Sequence, residues 1–311
     1  MWHTFGSRAF LDQLRAIHVE WVLLGSLLFE IGFVLRAWRW KILIAPLCRT
    51  TVAHLLGPTF VGFTAIALLG RPGEFARPYL IARKENLPVA SQLATWAVER
   101  IFDVAAFGLI VVAGAFTINV HSIRYLERIR NTASVILAIA IALAIALLVL
   151  QRRWTWLRRV ETPVAGTFRG RLIQSIRTFA AGVAAIQDGR TLFNLSALSL
   201  VMWYLIALGY AAILHAFPPP VRTMPFGEVT VLMASSALGG LVPLPASATA
   251  QLLIVAILLN VFRLPAQLAI GAGTMLWLAG NMAPVPVGLV YLRTEHVNLL
   301  TVSRQSRVET A

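Results

Sequence analysis

Cysteine is all but missing. Cys48 stands alone, so the chain can form no internal disulfide and says nothing about its redox compartment. Charge is scarce as well: 13% of the 311 residues are charged, against about 25% in soluble domains. Lysine has nearly dropped out, with only Lys41 and Lys84 among 27 basic residues. The 6 histidines are scattered without ligand spacing, so no metal site is expected. No nucleophile stands beside a base in a recognisable motif, and the glycine-rich stretches lack the strand–turn–helix context of a nucleotide loop. Neither catalytic residues nor a cofactor is expected. Residues 1–17 are polar and amphipathic, with no apolar core or cleavage site, so no signal peptide is expected.

What is present is apolar chain. Hydrophobic residues make up 58%, in segments near 18–37, 51–70, 89–120, 132–150, 191–216, 225–243, 247–262 and 265–292. A membrane span needs about 20 such residues. Four segments, 18–37, 132–150, 191–216 and 265–292, meet that easily. The 89–120 segment is longer, with a charged amphipathic first third before the apolar run Val104 to Ile118. The net charge of +14 sits in loops flanking apolar spans, where the positive-inside bias puts it, which argues against nucleic acid. The expected fold is an all-α, polytopic integral membrane helix bundle of about six to eight hydrophobic segments. It forms one domain over 1–311, with a first half near 18–150, a basic cytoplasmic linker at 151–190 and a second half near 191–292.

Eight arginines in the linker, and Arg36, Arg39, Lys41 and Arg49 after the first span, are expected on the cytoplasmic side. Counting spans back from the linker puts residues 71–88 there too. The 51–70 segment therefore cannot cross once. It is expected to dip in and return, bent at Gly57-Pro58, Gly62 and Gly70-Arg71-Pro72-Gly73, which is tolerated only within protein or beside a cavity. In the second half, 225–243 runs into Gly239-Gly240-Leu241-Val242-Pro243-Leu244-Pro245, and 225–262 reads as a re-entrant hairpin or two short spans. Interrupted segments in corresponding places of two halves are the mark of an inverted repeat.

Six charges lie close to these spans in Gly70-Arg71-Pro72-Gly73-Glu74-Phe75-Ala76-Arg77 and Glu99-Arg100-Ile101-Phe102-Asp103. Pro72 suits the first turn of a helix, Glu74 then meets exposed amides, and Pro78 should kink the run that continues to Lys84. Glu99 and Asp103 are spaced i, i+4 and share a face with Trp96 and Gln92, so they repel. Arg100 adjoins them, and a second cation is expected from Arg71 or Arg77. The substrate-binding candidates are Arg71, Glu74, Arg77, Glu99, Arg100 and Asp103, supported by Glu30, Arg39, Trp96 and Gln251. Either these charges form a structural network pinning the re-entrant segment, or they floor a polar cavity whose arginines meet a lipid phosphate. Arg36, Arg39, Trp38 and Trp40 read as an interface belt with snorkelling cations. Glu30, well inside the first span, needs a partner or a proton and is a candidate for a proton pathway, with Glu228 a weaker one.

At these residues the chain resembles the flippase-like family typified by the membrane-embedded region of lysylphosphatidylglycerol synthases. The resemblance rests on Arg39-Trp40, on the Gly70–Arg77 block and on Glu99–Asp103, and runs over most of the chain, most strongly from 30 to 110. The family's second-half Pro-Gly-Gly-x-Gly motif and nearby Glu are replaced by Pro243-Leu244-Pro245-Ala246-Ser247-Ala248-Thr249-Ala250-Gln251. No aminoacyl-transferase domain follows, so lysyl transfer is not expected. The resemblance implies a multi-pass protein of the bacterial cytoplasmic (inner) membrane that moves or holds an anionic phospholipid or a polyprenyl-phosphate lipid. Translocation between leaflets is the expected activity. The alternative is a non-transporting subunit that binds lipid or scaffolds a glycosyltransferase or another envelope-biosynthesis enzyme.

Overall fold

A computed structural model describes residues 17–118, 189–240 and 248–294, with isolated positions between 127 and 142. The expected span at 132–150, nearly all of the linker and the stretch 241–247 lie outside the described residues, those isolated positions apart. The described chain is helical, with no strand among the described residues. α1 (Val19–Ile44) is followed by α2 (Val52–Leu69), a 3-10 turn (Arg71–Phe75), α3 (Ala76–Lys84) and α4 (Val89–Ala115). After the linker come α5 (Gly189–His215), a short 3-10 turn (Val221–Thr223), α6 (Phe226–Gly239), α7 (Ala248–Asn260) and α8 (Ala266–Trp277). A π-helical segment (Leu278–Met282) then leads into α9 (Pro284–Thr294). Among the described residues, four stretches are long and apolar enough to cross a membrane: Val19–Ile44, Val52–Leu69, Gly189–His215 and Ala266–Thr294. α4 is as long but carries Glu99, Arg100 and Asp103. Large apolar side chains such as Leu23, Phe193 and Leu252 face outward at 64–71% exposure, which suits lipid and not water.

The 51–70 segment does turn back, but only at its end. α2 runs unbroken through Gly57, Pro58 and Gly62, correcting the bends expected there. A residue before proline is pushed out of helix by its own Cβ, and Gly57 has none. Thr51 caps the helix by accepting the His54 amide at 3.2 Å. Gly62 serves a close approach: a Cβ there would overlap that of Arg77 on the returning arm. The reversal falls on Gly70, at φ 70 and ψ -145, which only glycine adopts freely. Pro72 sits in the opening 3-10 turn as expected. Pro78 does not kink α3, because that helix begins two residues earlier and leaves Pro78 in the first turn, where no intrahelical N–H is needed. The returning arm ends where α2 began: Thr50 Oγ1 donates to Glu85 Oε1 at 2.8 Å, and His54 Nδ1 lies 2.6 Å from the same oxygen. Cys48 Sγ reaches Glu85 Oε2 at 4.0 Å. Burial, then the Glu85 carboxylate, pushes that thiol above its ordinary range.

The second half repeats the device. α6 and α7, of 14 and 13 residues, are each about 20 Å long, short of the ~30 Å hydrocarbon core. They pack as a hairpin, Gly239 against Ala250. α1 and α5 pack antiparallel along their length, from Gly25, where a Cβ would sit 2.8 Å from the Gly209 carbonyl oxygen, to Arg39 on Ser199; small residues let membrane helices approach this closely. Each hairpin then packs on a helix of the other half. Gly288 of α9 leaves room for Thr64 of α2, and Gly114 of α4 for Thr230 of α6.

Candidate functional site

Four helices meet at one point, and three of them bring charge to it. α4 supplies Glu99 and Asp103 one turn apart, α1 supplies Arg36 and Arg39 three residues apart, α3 supplies Arg77, and α5 adds the neutral Ser199 and Trp203. Arg39 lies at the centre, with Nη2 2.7 Å from Glu99 Oε1 and Nη1 2.7 Å from Asp103 Oδ1. Its Nη1 also donates to Ser199 Oγ at 2.8 Å. Arg77 reaches Glu99 Oε2 at 3.0 Å and donates through Nη2 to the Arg36 carbonyl at 3.0 Å. Asp103 further accepts from Arg36 at 3.3 Å, from Arg100 at 2.9 Å and from Trp203 Nε1 at 3.1 Å. Ring faces cover the cations: Arg77 lies 4.1 Å from the Trp40 centroid, and Arg36 lies between Phe63 and Trp203 at 5.1 and 5.5 Å.

The cluster is sealed except at one member. The side chains of Arg36, Arg39, Arg77, Glu99 and Asp103 are at most 8% exposed, whereas that of Arg100 is 39% exposed. Four guanidiniums thus meet two carboxylates. Glu74, half-buried in the turn before α3, adds its field at Arg100. The Nε–H groups of Arg39, Arg77 and Arg100 are buried without an acceptor among the described residues.

Of the residues singled out in the sequence, Arg77, Glu99, Arg100, Asp103 and Arg39 converge, with Glu74 beside them. The side chain of Arg71 lies outside the described residues. Trp96 packs on Phe75 at 5.9 Å, bracing the turn without joining the ions. Glu30 does not join them. Gln251 does not either: its Nε2 donates to Thr274 Oγ1 at 2.9 Å, a neutral counterpart of the tie between α3 and α4. The expected interface belt is corrected at Arg36, Arg39 and Trp40. They are 7%, 0% and 0% exposed, while Trp38 stays outside at 49%. The physical reason is that two buried carboxylates require cations, and α1 presents them at matching spacing. That complementarity of Arg36/Arg39 with Glu99/Asp103 was a readable signal. Ser199 and Trp203 carried none, being ordinary residues of an apolar helix.

A family model described as lysylphosphatidylglycerol synthase TM region matches residues 1–288 of the chain. No curated protein and no solved structure matches it.

Proposed function

The chain belongs to the lysylphosphatidylglycerol synthase TM region family, hence is a multi-pass membrane protein related to lipid handling, and on that premise we propose that it carries an anionic amphiphile between leaflets. The substrate class is a phospholipid or a polyprenyl phosphate, and the membrane is the bacterial cytoplasmic one. The observation that carries this reading is the surplus of positive charge in the cluster, three buried guanidiniums and the partly exposed Arg100 against two buried carboxylates. Charge at membrane depth is costly unless paired, and a phosphate supplies the missing anion. The unused Nε–H donors are suited to it, because the planar guanidinium fork matches phosphate oxygens. Arg100 is the point of entry. Deeper access requires the α2–α3 hairpin to shift, since it brings Arg77 to Glu99 and Phe63 to Arg36.

Liposomes containing a labelled anionic lipid provide the test. The wild type is expected to accelerate exchange between leaflets. Arg100→Gln is expected to slow that exchange at least about tenfold, while changing stability by about 1 kcal/mol or less, as for a half-exposed ion pair. No acceleration by the wild type, or an unaltered rate in Arg100→Gln, refutes the reading. A second reading, a lipid-holding subunit that does not transport, is favoured by the burial of Arg39 and Glu99 and by the neutral Gln251–Thr274 tie. It predicts anionic lipid retained by the pure protein without exchange.

A further inference from the structure

Glu30 stands apart from the cluster, in the middle of α1. It lies about 17 Å along the axis from Val19 and about 21 Å from Ile44, at 1.5 Å per residue. In a hydrocarbon core of ~30 Å that is near the midplane. Leu23, Leu27 and Val34 on one side of it are exposed, and Phe33 and Ala37 on the other are buried. Glu30 is half-buried, on the seam between the outward face and the contact with α2. Among the described residues no hydrogen bond or ion pair reaches its carboxylate.

Nor do the packed elements bring it a cation. The titratable group of α2 is His54, in its first turn. The middle of α5 offers Tyr204 and Tyr210, the charges of α4 are those of the cluster, and Leu278–Met282 carries none. On α1 itself the nearest charges are Glu20 and Arg36, and Arg36 is held by Asp103. One helical turn lies between Glu30 and Arg36 on either side of Phe33, whose ring meets Phe63 at 4.8 Å and Phe60 at 5.8 Å. Phe63 in turn faces Arg36. An aromatic layer built by the α2–α3 hairpin thus separates the carboxylate from the arginines.

We propose that Glu30 is a proton-binding site, and that proton passage through it drives the transfer of anionic lipid between leaflets, the proposed function on which this inference rests. A bare carboxylate at this depth, with no cation beside it, is an unfavourable species. Taking one proton from water forms an O–H bond and a neutral acid, and returning that proton to water on the other face restores the anion. No other bond changes and no other reactant is needed. Coupling requires one two-state element that both sites bias. The hairpin is that element, because it sets Phe63 and Phe60 on Phe33, about one turn from Glu30, and Arg77 within the cluster.

Dicyclohexylcarbodiimide, which adds to protonated carboxyls in apolar surroundings, gives a readout independent of transport. Wild-type protein is expected to carry the adduct on Glu30 by mass spectrometry, with less labelling as the pH is raised. In proteoliposomes, a gradient of about one pH unit is a tenfold bias per proton. It is expected to shift the steady-state leaflet ratio of a labelled anionic lipid by about that factor in the wild type, and not in Glu30→Gln. No adduct on Glu30 at any pH overturns the proposal. So does a wild type that exchanges lipid with the same leaflet ratio with and without the gradient, or a Glu30→Gln protein that still responds. Labelled Glu30 in a protein that exchanges no lipid upholds the proton site and overturns the transport reading instead.

Discussion

Glu99→Ala is expected to prevent recovery of folded protein. Glu99 is wholly buried and receives Arg39 at 2.7 Å and Arg77 at 3.0 Å. Without it, four guanidiniums would face Asp103 alone. Breaking a buried pair by removing one partner costs roughly 3–5 kcal/mol, a large share of the 5–15 kcal/mol, approximately, that holds a typical protein together. Adding Arg77→Ala is expected to restore part of the loss, since it removes one stranded cation. Exchanging the pair, Arg77→Glu with Glu99→Arg, is expected to fail, because the new arginine would meet Arg39 where Glu99 stood. The monodisperse fraction in mild detergent and the melting midpoint measure all three. Wild-type values for Glu99→Ala would show that the network does not brace the bundle.

The two charged blocks were legible because charge in an apolar sequence has few places to go. Glu99 and Asp103 on one helical face demanded cations, and one of the two expected, Arg77, is there. The reversal after α2 was legible from loop charges, since residues 36–49 and 71–88 were expected on one side. The interior of α2 was not. Gly57-Pro58 and Gly62 looked like bends, yet a glycine before proline eases a helix onward, and a small residue inside a helix equally serves close packing. Sequence records the residue type without the neighbour that explains it. The same limit hid Arg36 and left Arg39 as a supporting residue only. At the end of a span, an arginine reaching for headgroups and an arginine folded inward onto a carboxylate have the same local context. Ser199 and Trp203 became partners of Arg39 and Asp103 only through the packing of α5 on α1 and on α4.

Gly73→Val is expected to open the first hairpin without touching a charge. The turn depends on Gly70, whose carbonyl accepts the Gly73 amide at 2.9 Å, and on Gly73 itself, where a Cβ would overlap the carbonyl of Ala65 and the amide of Ile66. These are backbone atoms of a continuous helix, so no side chain can swing aside. Overpacking of this kind costs typically about 1–3 kcal/mol, occasionally more, and valine belongs at the upper end, with Gly73→Ala below it. The consequences propagate along the returning arm. As the 3-10 turn and α3 lift from α2, Arg77 is drawn from Glu99 and Glu85 from Thr50 and His54, loosening both ends of the hairpin at once. The single cysteine reports this directly, because Cys48 lies half-buried beside Glu85 and is the chain's one thiol. In Gly73→Val a maleimide is expected to label Cys48 several times faster than in the wild type, alongside a lower melting midpoint. Wild-type labelling with a lower midpoint would mean that the turn is damaged locally while the foot of the hairpin holds.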